Sequence, residues 1–446
     1  MLPRQQTLCA LIDWSYDLLS ATEQALLGRL SVFADGWTLQ AAEHVCVGEG
    51  VEEGAVLDVL TSLADKSLAL AEERSGATRY RMLETVKQYM RDRLRASGDE
   101  THRQDRHLAY FLQLAEEAEP RLRGADQKAW LDRLETEHEN LRAALAWSAA
   151  AGGEAASGLR LAGAIWRFWL VRGYCGEGRD SLSVLLATAP GGQGAKARAK
   201  ALNGAGALAW RQGDHLSAQA LHEESLAISR EQGDQWGIAS SLNNLGIMAR
   251  RKGDYPAAQA LYAESLAIRR ELGDQVGIAS SLNNLGNVAE VQGDYPAAQA
   301  LHAESLAIRR DLGDRWGIAS SLDNLGGVAD LQGDHRAAQA LHAESLTIRR
   351  ELGDRSGIAF SLEGLASGAF ALAAPGRAAR MWSAAERLRG EIGAPLPPDD
   401  RLSYERRVAA TRAVMGDDAA FDRAWQEGRA MTLEQAIAYA LAKPAA

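Results

Sequence analysis

Cysteine is scarce: Cys9, Cys46 and Cys175 are the only three in 446 residues. The number is odd and the spacings match no metal or redox motif. That argues against a disulfide framework and for a reducing, cytoplasmic setting. Aromatic residues make up only 6%, and with Ala and Leu abundant this favours helices over sheets. No run of 18 apolar residues occurs. The most apolar stretch, Leu161 to Val171, is interrupted by Arg167 and is too short to span a bilayer. The start, Met1-Leu2-Pro3-Arg4, lacks the apolar core of a signal peptide. Membrane and secreted readings therefore fall away. Positive charge is not in excess, with 49 Lys and Arg against 59 Asp and Glu and a net charge of −10. Such a chain is a poor nucleic-acid binder by bulk electrostatics, although a local basic face stays open. What is present is ordinary for a soluble protein: 46% hydrophobic and 24% charged residues, and a length that allows two to four domains.

The middle of the chain repeats itself. The 40 residues from Ile238 align without gaps on the 40 from Ile278, with about 31 identities. A third copy starts at Ile318. A weaker one precedes them from near Arg198, and a decayed one follows at Ile358. Each copy reads as two helices. The first runs from about Gly237 to Arg251 and stops at Gly253. Asp254 then caps the second, which tolerates Pro256 in its first turn and ends at Gly273-Asp274. Small residues fall where the helices must approach closely: Gly246 with Ala258, Gly286 with Ala298, Gly326 with Ala338. His222, His302 and His342 share one repeat position with Tyr262, which marks packing rather than metal binding.

This pattern resembles the tetratricopeptide repeat (TPR), in the 40-residue form of kinesin light chains, over roughly residues 198–393. The large aromatic usual late in the first helix is replaced by Ala249, Ala289 and Ala329. The resemblance implies an α-solenoid whose first helices line a concave groove that binds a protein or peptide, with no chemistry. The copies also differ in a patterned way. Ile247/Asn287/Gly327, Arg250/Glu290/Asp330 and Arg251/Val291/Leu331 change from copy to copy. Their spacing of i, i+3, i+4 places them on one helix face. Arg269-Arg270, Arg309-Arg310 and Arg349-Arg350 do not change, nor do Gln259, Gln299 and Gln339. Drift would scatter over both helices, so the stripe reads as a diversified groove. It runs from Trp210 and Arg211 through Arg250 and Arg251 to Glu290 and Val291, then Asp330 and Leu331. A partner would match that basic-to-acidic gradient in a fixed direction. Asn244, Asn284 and Asn324 recur one turn away. They either hold a peptide backbone or bond neighbouring helices.

Residues 1–98 differ in character. Helices are expected over Thr7–Leu19, Glu23–Phe33 (opened by the capping box Ser20 to Glu23), Leu39–Val45, Glu53–Lys66 and Leu83–Arg95. Strands Ser67–Ala71 and Thr78–Met82 flank a polar turn, Glu73 to Gly76. Helices plus a hairpin wing make a winged helix. The stretches from Arg4 to Cys46, VLDVLTSLADKSL and RYRMLETVKQYM resemble the winged-helix part of bacterial STAND ATPases of the NB-ARC type, found in LuxR-type and antibiotic-regulatory regulators. Leu134 to Trp147, Gly158 to Tyr174 and the C-terminal tail resemble the same family. No P-loop G-x-x-x-x-G-K-[ST] is present, and Met82-Leu83-Glu84 stands where many relatives carry Met-His-Asp. The chain begins where the family's nucleotide-binding core would end. ATP or ADP would therefore belong to a missing N-terminal core, supplied in trans or lost.

These readings commit to a mainly α protein: an α-solenoid of TPR helix pairs preceded by a small α+β winged helix. The expected divisions are a winged helix (1–98), irregular helical pairs (99–196), the TPR array (197–393) and capping helices (394–446). Ala189 to Gly194 and Ala394 to Pro398 are the expected linkers. No catalytic, cofactor or metal residue is assigned, and no enzyme activity is expected. The leading function is a protein- or peptide-binding sensor and scaffold of a STAND-type signalling or transcription regulator. The alternative is DNA binding through the winged helix. It is weakened because the candidate recognition helix carries Glu53, Asp58 and Asp65 against Lys66 alone. The last helix of the unit is more basic, with Lys87, Arg91, Arg93 and Arg95.

Overall fold

The computed structural model describes residues 11–74, 77–150, 154–189, 194–394, 396 and 398–442. The expected starts of the first helix at Thr7 and of the chain at Met1, together with Cys9, the tip of the polar turn at 75–76, the centre of the first linker (190–193) and two residues of the second (395 and 397), lie outside those residues. Contacts divide the chain into two units, Met1–Glu117 with Arg133–Leu161, and Ala118–Asp132 with Ala162–Ala446.

The first unit opens with α1 (through 11–17) and α2 (Ala21–Leu30). The Ser20–Glu23 capping box is formed in both directions. Glu23 also accepts from Ser62 Oγ at 2.6 Å and from Lys66 Nζ at 2.5 Å. Burial raises the Glu23 carboxyl, but these donors outweigh it and bring it to about 2. Next come β1 (Trp37–Thr38), α3 (Leu39–Cys46), α4 (Val56–Asp65), β2 (Leu70–Arg74), β3 (Ala77–Arg81) and α5 (Glu84–Ala96). The strands form an antiparallel sheet in the order β1-β3-β2, with Trp37 opposite Tyr80 and Leu70 opposite Arg81. This is a winged helix. The hairpin's first strand begins three residues later than the apolar run suggested. Ser67 takes φ +57°, and the Leu68 and Ala69 amides still bond Leu63 O behind α4. Residues 67–69 therefore finish the helix instead of starting a strand.

The same unit holds most of α6 (Glu100–Arg121), part of α7 (Gln127–Thr136) and all of α8 (His138–Ala149). A buried polar network runs from the wing to these helices. Arg79 Nη1 bonds Glu137 Oε1 at 2.5 Å, and Asn140 Nδ2 bonds Glu137 Oε2 at 2.8 Å and Gly36 O at 2.9 Å.

The second unit takes in α9 (Ala155–Arg172) from Ala162 onward and continues along α10 (Cys175–Thr188) into five helix pairs: α11 (Ala195–Arg211) and α12 (His215–Glu231), α13 (Gln235–Arg251) and α14 (Tyr255–Leu272), α15 (Gln275–Val291) and α16 (Tyr295–Leu312), α17 (Arg315–Leu331) and α18 (His335–Leu352), α19 (Arg355–Ala371) and α20 (Pro375–Glu391). Three helices, α21 (Pro398–Met415), α22 (Asp418–Ala430) and α23 (Leu433–Leu441), close the array against α20. The chain is thus mainly α, a TPR solenoid preceded by a winged helix.

The repeat geometry follows from a few positions. Asp254, Asp294 and Asp334 cap the second helices. Asp274, Asp314 and Asp354 cap the following first helices through the amides of Gly277, Gly317 and Gly357. Gly246, Gly286 and Gly326 admit a side chain from the partner helix. A Cβ on Gly246 would stand 2.6 Å from the Tyr262 ring, and on Gly286 2.7 Å from the His302 ring. The recurring His/Tyr position is therefore a wedge under a glycine. Burial pulls His222 and His302 down to about 4, which keeps both rings neutral near pH 7.

Candidate functional site

Successive first helices touch one another: α11 with α13, α13 with α15, α15 with α17, α17 with α19. Contact of that extent is not matched between successive second helices among the described residues. The row therefore bends toward its first helices, and they form the inner wall. Asparagines stitch that wall. Asn244 Nδ2 donates to Asn203 Oδ1 at 2.7 Å, Asn284 Nδ2 to Asn243 Oδ1 at 3.0 Å, and Asn324 Nδ2 to Asn283 Oδ1 at 3.0 Å. One face of each amide is thus engaged with the preceding first helix.

The variable stripe lies at the ends of the first helices. Trp210 and Ile247 pack around Ala209, Ala218 and Met248. Arg250 and Glu290 stand within each other's field. Burial raises the Glu290 carboxyl above its usual range, and Arg250 opposes that shift. Arg211 has its Nε sealed from solvent without a hydrogen-bond partner. Burial lowers its pKa, and the charge of Asp354 opposes that shift. Arg251 and Asn287 are half-buried, whereas Val291 and Leu331 are exposed. Asp330 is drawn into its own repeat by His335 Nδ1 at 3.0 Å. The structure therefore sets Glu290 within the field of Arg250 and leaves Asp330 to a local partner.

Two features carried little sequence signal. Asp323 replaces the asparagine found at 243 and 283. It is buried and bonded to His342 Nδ1 at 3.0 Å, Arg349 Nη2 at 2.8 Å and Ser361 Oγ at 3.1 Å. The Asn-to-Asp change was visible, but its partners on α18 and α19 were not. The second feature is the connector between α6 and α7. Gln127, fully buried, accepts from the Trp316 amide at 2.9 Å and approaches Asp314 Oδ1 at 3.4 Å. Ala125 packs on Gly313. Arg167 bonds Leu122 O at 3.1 Å and stands over the Trp316 ring, 4.7 Å from its centroid. One turn of the array thus serves as a seat for a segment of the same unit.

The exposed side of α4 presents Leu57, Asp58, Thr61 and Asp65, and Lys66 is committed to Glu23. The cations of α5 are also engaged. Lys87 donates to Ala34 O, Arg91 to Ser31 O, Arg93 pairs with Asp13 and Arg95 with Glu100. A helix entering a DNA groove meets a dense row of phosphates, and this one offers two carboxylates.

Residues 197–271 and 277–379 match the tetratricopeptide repeat family, and residues 19–95 match the winged helix-turn-helix domain family. Among individual proteins, the chain is 41% identical over 184 residues to a protein provisionally named an HTH-type transcriptional regulator in Mycobacterium bovis and Mycobacterium tuberculosis. That stretch is 41% of this chain and 20% of the relative, so the chain spans about a fifth of the length of the curated relatives it matches. Two solved structures are similar at low identity. A signal-transduction ATPase with numerous domains and a tetratricopeptide-repeat sensor, from Pyrococcus horikoshii, is 14% identical with a TM-score of 0.47, covering 93% of this chain and 63% of that one. A Rap protein complexed with competence and sporulation factor is 13% identical with a TM-score of 0.49, covering 76% and 99%. At those scores neither likeness speaks to function.

Proposed function

We propose that the chain is the sensor and scaffold region of a larger STAND-type regulator of signalling or transcription, and that its inner wall takes a protein or peptide. The observation that carries this reading is that the changes at 247/287/327, 250/290/330 and 251/291/331 share one stripe at the ends of α13, α15 and α17, while the capping aspartates, wedge glycines and buried arginines of these copies stay fixed. A frame that is copied and a face that is varied is what a binding array needs. Regulation of transcription is supported by the mycobacterial relatives, and the acidic exposed side of α4 turns that role away from direct DNA contact by this helix. An ATPase core acting in trans is the natural second partner.

The test is a paired capture from host lysate. One bait is the wild-type chain. The other carries Arg250→Glu, Arg251→Glu, Glu290→Lys and Asp330→Lys, with its helicity matched by circular dichroism. A protein held by the first bait and lost by the second supports the reading. Identical captures from the two baits, or none from either, refute it.

A further inference from the structure

Near-identical repeats make a missing group visible. In three consecutive turns that lead from a second helix to the next first helix, an arginine fills the same slot. Arg269 Nη1 lies 3.4 Å from Asp274 Oδ2. Arg349 Nη1 lies 2.5 Å from Asp354 Oδ2. Arg309 donates to Gly317 O at 2.7 Å and Ser321 Oγ at 2.8 Å. All three arginines are buried. The preceding turn, between α12 and α13, has Ser229 in that place. The Ser229 hydroxyl is buried without a hydrogen-bond partner. Asp234, the counterpart of Asp274, has no arginine at the 229 position to pair with. It alone of the four aspartates makes no capping bond to its helix. Beside it the Trp236 indole is 39% exposed.

The same chain shows what such a turn does with an arginine from elsewhere. Trp316 holds the position of Trp236 in its own repeat. There Arg167 of α9 covers the ring at 4.7 Å, with Nη2 3.8 Å from Asp314. The α12–α13 turn offers the same carboxylate and the same indole, uncovered, together with an unsatisfied hydroxyl where the other turns hold a guanidinium.

We propose that the Ser229–Asp234–Trp236 turn is a receptor for an arginine side chain presented by a protein partner. A guanidinium is planar and carries a fork of donors. It can reach the Asp234 carboxylate and the Ser229 oxygen together while its face lies on Trp236. A lysine ammonium is a point donor, more strongly hydrated, and stacks poorly. The turn lies apart from the variable stripe, so this receptor does not depend on the inner wall binding anything.

The test uses the full chain labelled with 5-fluorotryptophan, the Trp236 signal being assigned by Trp236→Phe. N-acetylarginine amide is titrated and followed by fluorine NMR, with N-acetyllysine amide in parallel. The Trp236 signal should move saturably with the arginine derivative and bind the lysine derivative at least several-fold more weakly. Asp234→Asn should weaken the response about tenfold. Ser229→Arg fills the slot from within, so it should abolish the response and raise the melting temperature. A double variant of the inner wall, Arg250→Glu with Glu290→Lys, should keep the response, which separates this receptor from the groove. The proposal is overturned by a Trp236 signal that ignores the arginine derivative or answers both derivatives equally. A response that survives Ser229→Arg overturns it as well.

Discussion

Two adjacent glycines of α17 should respond oppositely to the same substitution. A Cβ on Gly326 would stand 2.8 Å from His342 Nε2 and 2.9 Å from Cε1, whereas a Cβ on Gly327 meets nothing within 4 Å. Both lie inside a helix, where Ala is favoured over Gly by about 1 kcal/mol. Gly327→Ala should realise that gain. Gly326→Ala carries the same gain but must displace a buried ring held to Asp323 at 3.0 Å. Overpacking of a filled core costs about 1–3 kcal/mol, so its net effect is a loss of about 0–2 kcal/mol. The two variants should therefore differ by about 1–3 kcal/mol, and near 2–4 °C per kcal/mol for a unit of 150–250 residues that is a clear separation in melting temperature. Thermal and urea unfolding followed by far-ultraviolet circular dichroism measures it. Equal stabilities, or a more stable Gly326→Ala, would refute the wedge argument for every repeat, since the same glycine recurs at 246 and 286.

Other perturbations test separate parts of the structure. Burial raises the Asp323 carboxyl, but Arg349 and the His342 hydrogen bond outweigh it and hold the group below its ordinary range. Its stabilisation is therefore complete above about pH 4 and is lost as pH falls through the lower folded-state value. Asp323→Asn should cost about 1–3 kcal/mol at pH 7, the scale of a hydrogen bond to a charged group, and should flatten the acid limb of the stability profile below about pH 4. An unchanged acid limb would count against it. Where the wing meets α8, Glu137→Ala leaves Arg79 buried beside Gly36 O without its carboxylate. That should cost about 3–5 kcal/mol, read as a fall in the urea midpoint; a loss under 1 kcal/mol would mean the pair adds little. Gln127→Ala removes the acceptor for the Trp316 amide and should increase proteolytic cleavage of the connector several-fold, with no change expected if the seat is incidental.

Much of the fold was legible because the repeat encodes its own punctuation. Helix ends fell within two residues of expectation in the copies from Ile238 and Ile278, since Gly253, Asp254, Gly273 and Asp274 act locally. The wing strand was misplaced by three residues because a backbone conformation at Ser67, not hydrophobicity, sets its start. The asparagines had two roles open on sequence. The structure shows one amide hydrogen bonding the preceding helix, and any contact of the carbonyl side with a peptide stays within the proposal. The connector's seat was not legible at all, because Gln127 and Trp316 are 189 residues apart. No local pattern encodes a pairing at that range.

The departures from repetition carry more information than the repetition. A buried arginine fills this slot at three turns and meets the turn's aspartate at two of them, so a turn that breaks the rule has been released from it. At Asp314 the rule is bent. Arg309 turns to Gly317 O and Ser321 Oγ, and Gln127 and Arg167 approach the freed carboxylate. At Asp234 the arginine is gone, and no side chain of the described residues replaces it in ion pairing or ring contact. A carboxylate beside an uncovered indole costs little in water, so folding stability does not select it against an ordinary Arg–Asp turn. Refilling the slot with Ser229→Arg should on this argument stabilise the chain. A melting temperature that stays level or falls would mean that this turn differs in shape and that the missing arginine is no vacancy at all.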